Sequence, residues 1–596
     1  MPKKNQIPQI ENIDEINAPL NQDERRAFDL PWLLNCSIIV GLAIFMRFYA
    51  LGMRALHHDE GVNGHFLTTL FRDGVYKYDP ANYHGPTLYY IALFFTKIFG
   101  LETLPIRGSV AVWGVLIVVL AFYLRRYIGR IGALAAGVFL ALSPGMVYIS
   151  RYFIHEMFFV FLGLGFVIAL AFFIEKEKPG PFAVFWIGLL LLVCFFPTTL
   201  NIASGVAKEN TTLFWALAVA IFAFEAVMIS LLIKMILAWK DGRAIYLFIA
   251  SSCVSLMFAT KETAFITLGT MLIACICIWI WPKIYADAKN MVTEFHSNEL
   301  TFSKFKDALG EGSDRILLIA GAAAIFIYIG VMFFSSFFTY PEGVSKAFEA
   351  YSIWSKTGSK DHTQNGMWAY FQWGKEIEAP MMIMAAIGTG FAFLKPRSKV
   401  AMFVGLWGFG LLAAYTLIPY KTPWLAISFL LPMCIAAGWA VNEFASLKLS
   451  PARNLGILLS AAAVIATAYQ SYDLNFVRYD DEDMAYVYAH TKREFLELMK
   501  QIDHYAEKSG QGKNAKIQIV SPDYWPMVWY LKDYPNAFFH GKITGADKAE
   551  MIVAKTPDQD GDVMRRYSGE YELVGSYGLR SGVDLVLLVR KDLADQ

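Results

Sequence analysis

The sequence predicts a polytopic α-helical membrane protein with a small soluble α/β domain at its C-terminal end. Hydrophobic residues make up 56% of the 596 positions and charged residues only 17%, which leaves too little polar surface for a soluble globule. The apolar residues fall in repeated runs of about 20, the length that crosses a bilayer as a helix. After residue 470 the composition changes, because charged stretches and short strand-like runs replace the apolar ones.

The N-terminal residues set the predicted orientation. Residues 1–30 are polar and contain neither a short apolar core nor a small-residue cleavage site, so we expect no removable signal peptide. The apolar run 31–51 is the first predicted span, and the basic residues Lys3, Lys4, Arg25 and Arg26 precede it. By the positive-inside rule the N-terminus lies in the cytoplasm, and the residues after the first span lie outside the inner or plasma membrane.

Further apolar runs predict about 13 transmembrane helices in total. The later spans are 106–124, 131–150, 152–174, 181–200, 212–237, 244–260, 264–282, 314–338, 380–394, 400–418, 423–446 and 454–470. Lysine and arginine then concentrate in the loops assigned to the cytoplasm, and the C-terminus lies outside. The apolar segment 86–99 is too short to cross, so we predict an interfacial or re-entrant helix there.

The predicted domains follow from these spans. Residues 1–30 form a cytoplasmic tail, 31–470 a transmembrane domain, and 471–596 an extracytoplasmic α/β domain. The transmembrane domain has two long outer loops, 52–105 and the aromatic-rich 339–379.

Local patterns indicate the make-up of the C-terminal domain. The stretch 491–503 has the charged pattern of a surface helix. Three short β-branched or apolar runs have the pattern of strands, at 516–520, 550–554 and 583–589. Together they predict a small α/β unit.

The first outer loop contains the run HHDEGVNGH at 57–65, an unusual concentration of ionisable groups at a membrane edge. Four of the ten histidines fall between positions 57 and 84, and Asp59 and Glu60 are adjacent. Neighbouring side chains on a helix diverge by about 100°, so one carboxylate could act as a general base while the other orients a substrate or metal. The simpler alternative is a helix start, where acidic residues favour the first turn.

Four ordered segments resemble the GT-C glycosyltransferases. They are HHDEGVNGHF, YKYDPANYHGPTLYY, FATKETAFI and PYKTPWLAISFLLP, at 57–66, 76–90, 258–266 and 419–432. The pattern is similar to the protein O-mannosyltransferases and the aminoarabinose transferases, and to a bacterial and archaeal branch labelled flippase activity-associated protein. The resemblance covers nearly the whole chain, and it implies a GT-C-like fold and a polyprenyl-phosphate-linked sugar donor.

The resemblance also implies roles for matched residues. Asp59 matches the general base, Glu60 is its catalytic companion, and Lys421 matches a lysine that meets the lipid phosphate. The run SRYFIHE at 150–156 is similar to an arginine and an acid at the outer start of a helix. At 83–86 the chain departs from the transferases, which usually have a lysine where this chain has histidine and glycine. The substrate-binding candidates are His57, His58, His84, Arg151, Glu156, Lys261, Glu262 and Lys421.

Simpler interpretations stay open for several of these residues. Arg151 could hold a helix end at the lipid headgroups. Glu262 could simply cap a helix, with Lys261 beside it extending its ammonium toward the membrane surface. Lys421 could belong to the interfacial belt of the membrane.

A metal site is a separate hypothesis. His58 and His65 are seven residues apart and would share a helical face, and His84 lies on a nearby loop, so two or three imidazoles with Glu60 and a water could bind Zn²⁺ or Mn²⁺. The same imidazoles could equally donate hydrogen bonds to phosphate oxygens, and some GT-C transferases work without metal. The six cysteines lie in apolar segments and predict neither a disulfide framework nor a zinc finger.

The resemblance thus implies an inverting membrane glycosyltransferase with Asp59 as its base, a donor carried on a polyprenyl phosphate, and an extracytoplasmic protein, lipid or glycan as acceptor. A lipid-linked sugar flippase or transporter is one alternative, although its essential charges would lie near the bilayer midplane. A non-catalytic assembly protein with the same fold is the other. The net charge of +1 and the lack of long runs of like charge argue against a nucleic-acid partner.

Overall fold

The structure is a computed structural model that describes residues 29–594 apart from 83, 209, 240–241, 290–299, 358–365, 395–397 and 546. Almost all of the predicted cytoplasmic tail 1–30 therefore lies outside the described residues, as does part of the aromatic loop 339–379. The helices of the first half are α1 Leu30–Phe48, α2 His58–Asp73, α3 Thr87–Phe99, α4 Thr103–Ile128, α5 Arg130–Leu142, α6 Pro144–Ser150, α7 Glu156–Ile174, α8 Pro181–Ala207, α9 Thr211–Ala238, α10 Ala244–Phe258 and α11 Ala264–Lys289.

The second half continues with helices and then a sheet. Its helices are α12 Phe302–Leu309, α13 Gly312–Phe334, α14 Glu342–Thr357, α15 Ala369–Ile377, α16 Ala379–Leu394, α17 Lys399–Leu417, α18 Pro423–Ala445, α19 Ser450–Val477, α20 Glu494–Lys508, α21 Met527–Tyr530 and α22 Asp560–Tyr567. The strands are β1 Ile517–Ile519, β2 Ala537–Phe539, β3 Met551–Thr556, β4 Tyr571–Arg580 and β5 Val583–Arg590.

Among the described residues, ten helices are long and apolar enough to cross a membrane, or twelve if two bent pairs each count as one span. The protein is therefore an integral membrane protein, as predicted. Every predicted span coincides with a helix, but 131–150 is the pair α5 and α6, bent by 56°, and 380–394 follows a 107° bend between α15 and α16. The predicted span 244–260 is α10, which has only 15 residues. The segment 86–99 is the 13-residue helix α3, too short to cross as expected.

The membrane helices pack around α18. Its membrane-crossing stretch is 89% buried, whereas that of α9 is 6% buried and faces outward. Small residues allow the close approach: a Cβ on Gly388 would lie 2.0 Å from the carbonyl oxygen of Ala436, and one on Gly438 would lie 2.4 Å from that of Gly132. Helices in lipid associate through such contacts, because the bilayer supplies no hydrophobic force between them.

The C-terminal residues form a mixed five-stranded sheet in the order β2-β1-β3-β5-β4. Strand β1 pairs in parallel with β2 and β3, and β5 pairs antiparallel with β3 and β4. The apolar face of α20 packs on one side of the sheet and α22 on the other. The predicted helix and three strands are confirmed, and the sequence analysis missed β2 and β4.

This sheet domain is docked on α2, the helix that begins with the acidic run. A Cβ on Gly61 would lie 2.6 Å from Pro526, and one on Gly64 would lie 2.6 Å from the ring of Trp529, so only glycine fits at these positions. Just before α2, the backbone N–H of Leu56 donates to the Tyr530 hydroxyl at 3.0 Å. The C-terminal domain therefore covers α2 directly.

Candidate active site

A cavity of about 260 Å³ lies where several helix ends meet. The breaks between α6 and α7, α10 and α11, and α17 and α18 each contribute to its wall, together with the start of α2 and the loop before α3. Six candidates from the sequence line it, namely His58, Asp59, His84, Glu156, Lys261 and Glu262. The other lining residues are Val62, Asn63, Ala81, Asn82, Ile154, His155, Thr263, Trp354, Tyr415, Ile418, Tyr420, Trp424 and Leu425.

Asp59 presents its carboxylate to this cavity. It is half-buried in the first turn of α2, and within the described part of the chain no hydrogen bond or ion pair engages its side chain. Its backbone N–H donates to Nδ1 of His57, which caps the helix, at 3.0 Å. Burial lowers the pKa of the neighbouring His58, although the charge of Asp59 opposes this effect. An unengaged carboxylate at a cavity wall is able to accept a proton from a bound ligand.

Glu60 points the other way and is completely buried. Its two oxygens accept hydrogen bonds from Arg107 Nε at 2.8 Å and Nη2 at 2.7 Å, and from the backbone N–H groups of His57 and Phe153, each at 2.9 Å. Burial alone would raise the pKa of Glu60, but the Arg107 guanidinium outweighs burial and holds this pKa below its usual value. Glu60 therefore joins α2 to α4 and to the turn before α7. It does not line the cavity.

Two ion pairs also line the cavity. The ammonium of Lys261 donates to Oε1 of Glu156, and Nδ1 of His84 lies 2.9 Å from Oε2 of Glu262. Burial would raise the pKa of Glu262, but the neighbouring His84 and Lys261 hold it below its usual value. Burial likewise opposes the charge on Lys261, and the Glu156 carboxylate reverses that effect and raises the pKa of the lysine.

Only glycine fits at position 85, in the loop that carries His84. A Cβ at this position would lie 1.9 Å from the carbonyl oxygen of Ala259, and the Gly85 N–H donates to the carbonyl of Thr260 at 3.1 Å. This backbone contact between the loop and the turn after α10 brings His84 to Glu262. Where the transferases usually have a lysine, the cavity wall of this protein has the imidazole of His84 paired with the carboxylate of Glu262.

The other candidates bind protein groups outside the cavity lining. The guanidinium of Arg151 donates to the carbonyl oxygens of Met46, Tyr49 and Ala50 at 3.0, 2.7 and 2.9 Å. His57, besides capping α2, donates from Nε2 to the carbonyl of Tyr488 at 3.0 Å. Both residues therefore hold the walls of the site together.

Lys421 lies just after α17 and is almost fully buried. Its ammonium donates to the carbonyl oxygens of Tyr415 at 2.8 Å and Thr416 at 3.0 Å, and also to that of Ile418. The last carbonyls of a helix lack partners within the helix, and a cation there also suits the helix dipole. Lys421 is thus a capping group beside Tyr420, which does line the cavity.

The proposed metal ligands do not form one cluster. The described residues contain no group of three or more histidine, cysteine and acidic side chains placed to hold a metal ion. Glu60 is engaged by Arg107, and the ring of His65 packs against Trp525 with centroids 6.0 Å apart. The set His58, His65 and Glu60 therefore does not fit a metal ion.

Several lining residues were missed from the sequence. His155 belongs to the run SRYFIHE but is not among the residues predicted for the site, yet it lies in the cavity wall and is 1% exposed. Tyr415 and Trp424 lie at the ends of predicted spans, where aromatic residues are common for interfacial reasons alone. No local signal separates a belt residue from a wall residue in such positions.

The fold of this chain is similar to that of a solved membrane protein. A crystal structure of ArnT from Cupriavidus metallidurans bound to undecaprenyl phosphate superposes on 95% of this chain and 99% of its own, with a TM-score of 0.55 and 14% sequence identity. The chain has the GT-C fold. The GT-C fold predicted from the four ordered segments is thus confirmed over nearly the whole chain.

Other matches are more limited. The sequence model of the family described as dolichyl-phosphate-mannose-protein mannosyltransferase matches residues 83–207 of this chain. The Archaeoglobus fulgidus oligosaccharyltransferase, tethered to an acceptor peptide, covers 93% of this chain and 74% of its own at 12% identity, with a TM-score of 0.45. No curated protein matches the chain in sequence.

Proposed function

We propose that this protein is an inverting glycosyltransferase that moves a sugar from a polyprenyl phosphate to an extracytoplasmic acceptor. The observation that supports it most is the set of charged groups that line one cavity: an unengaged carboxylate, Asp59, together with a buried lysine, Lys261, and His84. Such a set of groups suits a reaction in which the acceptor hydroxyl loses a proton while the phosphate of the donor gains negative charge. The ArnT structure of the same fold was solved with undecaprenyl phosphate bound.

Asp59 is the proposed general base. As the acceptor hydroxyl oxygen attacks the anomeric carbon, its proton passes to the Asp59 carboxylate. The bond from the anomeric carbon to the phosphate oxygen breaks on the opposite face, and its electron pair leaves with the lipid phosphate. One displacement of this kind inverts the anomeric centre. A positioned general base typically contributes about 10²–10⁴-fold to the rate.

Lys261 and His84 are the proposed phosphate contacts. An ammonium has three N–H donors, so Lys261 can bind Glu156 and a phosphate oxygen at the same time. The charge on the phosphate increases as the sugar departs, and buried donors stabilise such charge more strongly than water-exposed ones do. Glu156 and Glu262 would hold these two donors in place.

The remaining wall would bind the acceptor. Trp354 from α14 lines the cavity, and the C-terminal domain is docked on α2, whose first turn lines the cavity as well. The lipid chain would enter between the membrane helices and the short helix α3. The engaged Glu60, Arg151 and Lys421 keep the wall in position.

Paired aspartate substitutions test this proposal. Asp59→Asn removes the base, and Asp73→Asn changes an exposed aspartate at the other end of the same helix as a matched control. Purified protein in lipid nanodiscs would be given a panel of undecaprenyl-phosphate-linked sugars together with hydroxyl-bearing peptide, lipid and glycan acceptors, and the released undecaprenyl phosphate would be measured. We expect Asp59→Asn to lose at least about a hundredfold in release while Asp73→Asn matches the wild type.

Binding of undecaprenyl phosphate, measured on the same samples, separates the alternatives. Asp59→Asn should bind this lipid as the wild type does. Release by Asp59→Asn at the wild-type rate would overturn the assignment of the base. Transbilayer movement of the lipid-linked sugar by the wild type, with no release of undecaprenyl phosphate, would replace the proposal by a transporter.

A further inference from the structure

His155 is a buried imidazole in the cavity wall to which the proposed reaction assigns no task. It immediately precedes α7 and is 1% exposed. Nε2 lies 3.0 Å from the carbonyl oxygen of Gly85, and a carbonyl can only accept, so this nitrogen bears the proton and donates it. In a neutral imidazole the other nitrogen, Nδ1, is then an acceptor.

The ring is held in this orientation from several sides. Tyr89 packs edge-on at 5.5 Å between centroids, and the ring of His84 lies 5.0 Å away. Gly85 itself is held by its contact with the backbone of Ala259. Turning the ring over would place carbon against the Gly85 carbonyl and lose the hydrogen bond, so the position of Nδ1 is fixed.

His155 is also kept neutral. Burial lowers its pKa well below the ordinary value, and the neighbouring charges of His84 and Lys261 act in the same direction. Among the described residues no donor reaches Nδ1, although the side chain lines the cavity. An acceptor in a cavity wall without a protein partner is available to a donor on a bound ligand.

We propose that Nδ1 of His155 accepts a hydrogen bond from a hydroxyl group of the sugar bound in the cavity, and that this contact makes the site prefer a sugar that carries this hydroxyl over one that lacks it. The inference rests on the proposed function, because it concerns the sugar carried by the lipid phosphate. Phosphate contacts and the His155 contact are separate, so they can be tested separately.

Two substitutions divide the functions of the imidazole. In His155→Gln the terminal amide can occupy the position of Nε2 and still donate to Gly85, but no acceptor remains at the position of Nδ1. In His155→Asn the amide oxygen can occupy the Nδ1 position, and the bond to Gly85 is lost instead. The first variant therefore removes the proposed sugar contact, and the second is its matched control.

The probes are undecaprenyl phosphate, undecaprenyl-phosphate-linked mannose, and its four monodeoxy analogues, with affinities measured for the full chain in nanodiscs. Wild type should bind the mannosyl lipid more tightly than one deoxy analogue by about tenfold, the worth of a hydrogen bond to a buried partner. His155→Gln should bind both equally while its affinity for undecaprenyl phosphate stays within about twofold of the wild type. His155→Asn should retain the preference.

Each other result counts against the inference. If the wild type binds all deoxy analogues as tightly as the parent, no hydroxyl is recognised, whether or not the variants fold. If the wild-type preference persists unchanged in His155→Gln, another residue recognises the hydroxyl. Tight binding of undecaprenyl phosphate in either case leaves the proposed function standing, whereas failure of the wild type to bind that lipid overturns the proposed function itself.

Discussion

Replacing Glu60 by glutamine tests whether the two adjacent carboxylates have separate tasks. Glu60 is completely buried and engages Arg107 through two hydrogen bonds of 2.8 and 2.7 Å. Arg107 is completely buried as well, and no second carboxylate pairs with it among the described ion pairs. The substitution therefore leaves a buried guanidinium without its counter-ion.

The expected cost is large. Breaking a buried ion pair by neutralising one partner typically destabilises a protein by about 3–5 kcal/mol, because the remaining charge stays buried. Arg107 keeps its hydrogen bonds to the carbonyl oxygens of Leu51, Arg54 and Ala55, so we expect the lower part of that range. Asp59→Asn, by contrast, should change stability by no more than about 0.5 kcal/mol, as at a site without partners.

Thermal unfolding in detergent, followed by near-ultraviolet circular dichroism, compares the two variants with the wild type. Glu60→Gln should melt several degrees lower, and Asp59→Asn should melt with the wild type while losing sugar release. The double variant Glu60→Gln/Arg107→Met removes both charges and should recover part of the loss. Equal melting temperatures for Glu60→Gln and Asp59→Asn would refute the separation of tasks.

The difference in stability between the wild type and Glu60→Gln should depend on pH with a defined sign. The pKa of Glu60 is lowered from 4.5 in the folded protein, so the ion pair stabilises fully above about pH 4.5 and its contribution is lost as pH falls through the lower folded value. The gap between wild type and Glu60→Gln should be constant above that pH and should narrow in more acidic buffer. A gap that widens on acidification would contradict the assignment.

Three further substitutions test the positions that shape the site. Gly64→Leu should displace Trp529, because the first side-chain atom alone would lie 2.6 Å from its ring, and the C-terminal domain should become sensitive to limited proteolysis. Gly85→Ala should push the loop away from Ala259, where a Cβ would lie 1.9 Å from the carbonyl oxygen, and weaken undecaprenyl phosphate binding by on the order of tenfold. Lys421→Met should lower the melting temperature, because removing charged hydrogen bonds costs about 1.5–3 kcal/mol.

Matched controls accompany these variants. Gly41 is a glycine of α1 at which a Cβ would meet nothing within 4 Å, so Gly41→Ala should leave proteolysis and lipid binding unchanged. Lys448 is an exposed lysine, and Lys448→Met should melt as the wild type does. The interpretation of a position is wrong if its variant behaves like its control.

The pattern of apolar residues was enough to predict a polytopic membrane protein and the location of its helices. A run of about 20 apolar residues has few alternatives to a helix in a bilayer, because every backbone polar group must be bonded internally. This is why all predicted spans coincide with helices, even where bends such as that between α5 and α6 were not foreseen. The ordered motifs also predicted the GT-C fold and four of the stretches that line the cavity, since motifs at span ends on one side of a membrane must come close together.

The pairing of the ionisable side chains, by contrast, became visible only in the folded chain. Asp59 and Glu60 have the same local signal, yet Glu60 is engaged by groups 47 and 93 residues away in the chain, and the side chain of Asp59 remains open to the cavity. Lys261 meets Glu156 across 105 residues, and His84 meets Glu262 across 178. Local sequence carries no record of such pairings. The free energy of a buried charge depends on the partner that folding brings to it, and this is why the pairings could be read only from the folded chain.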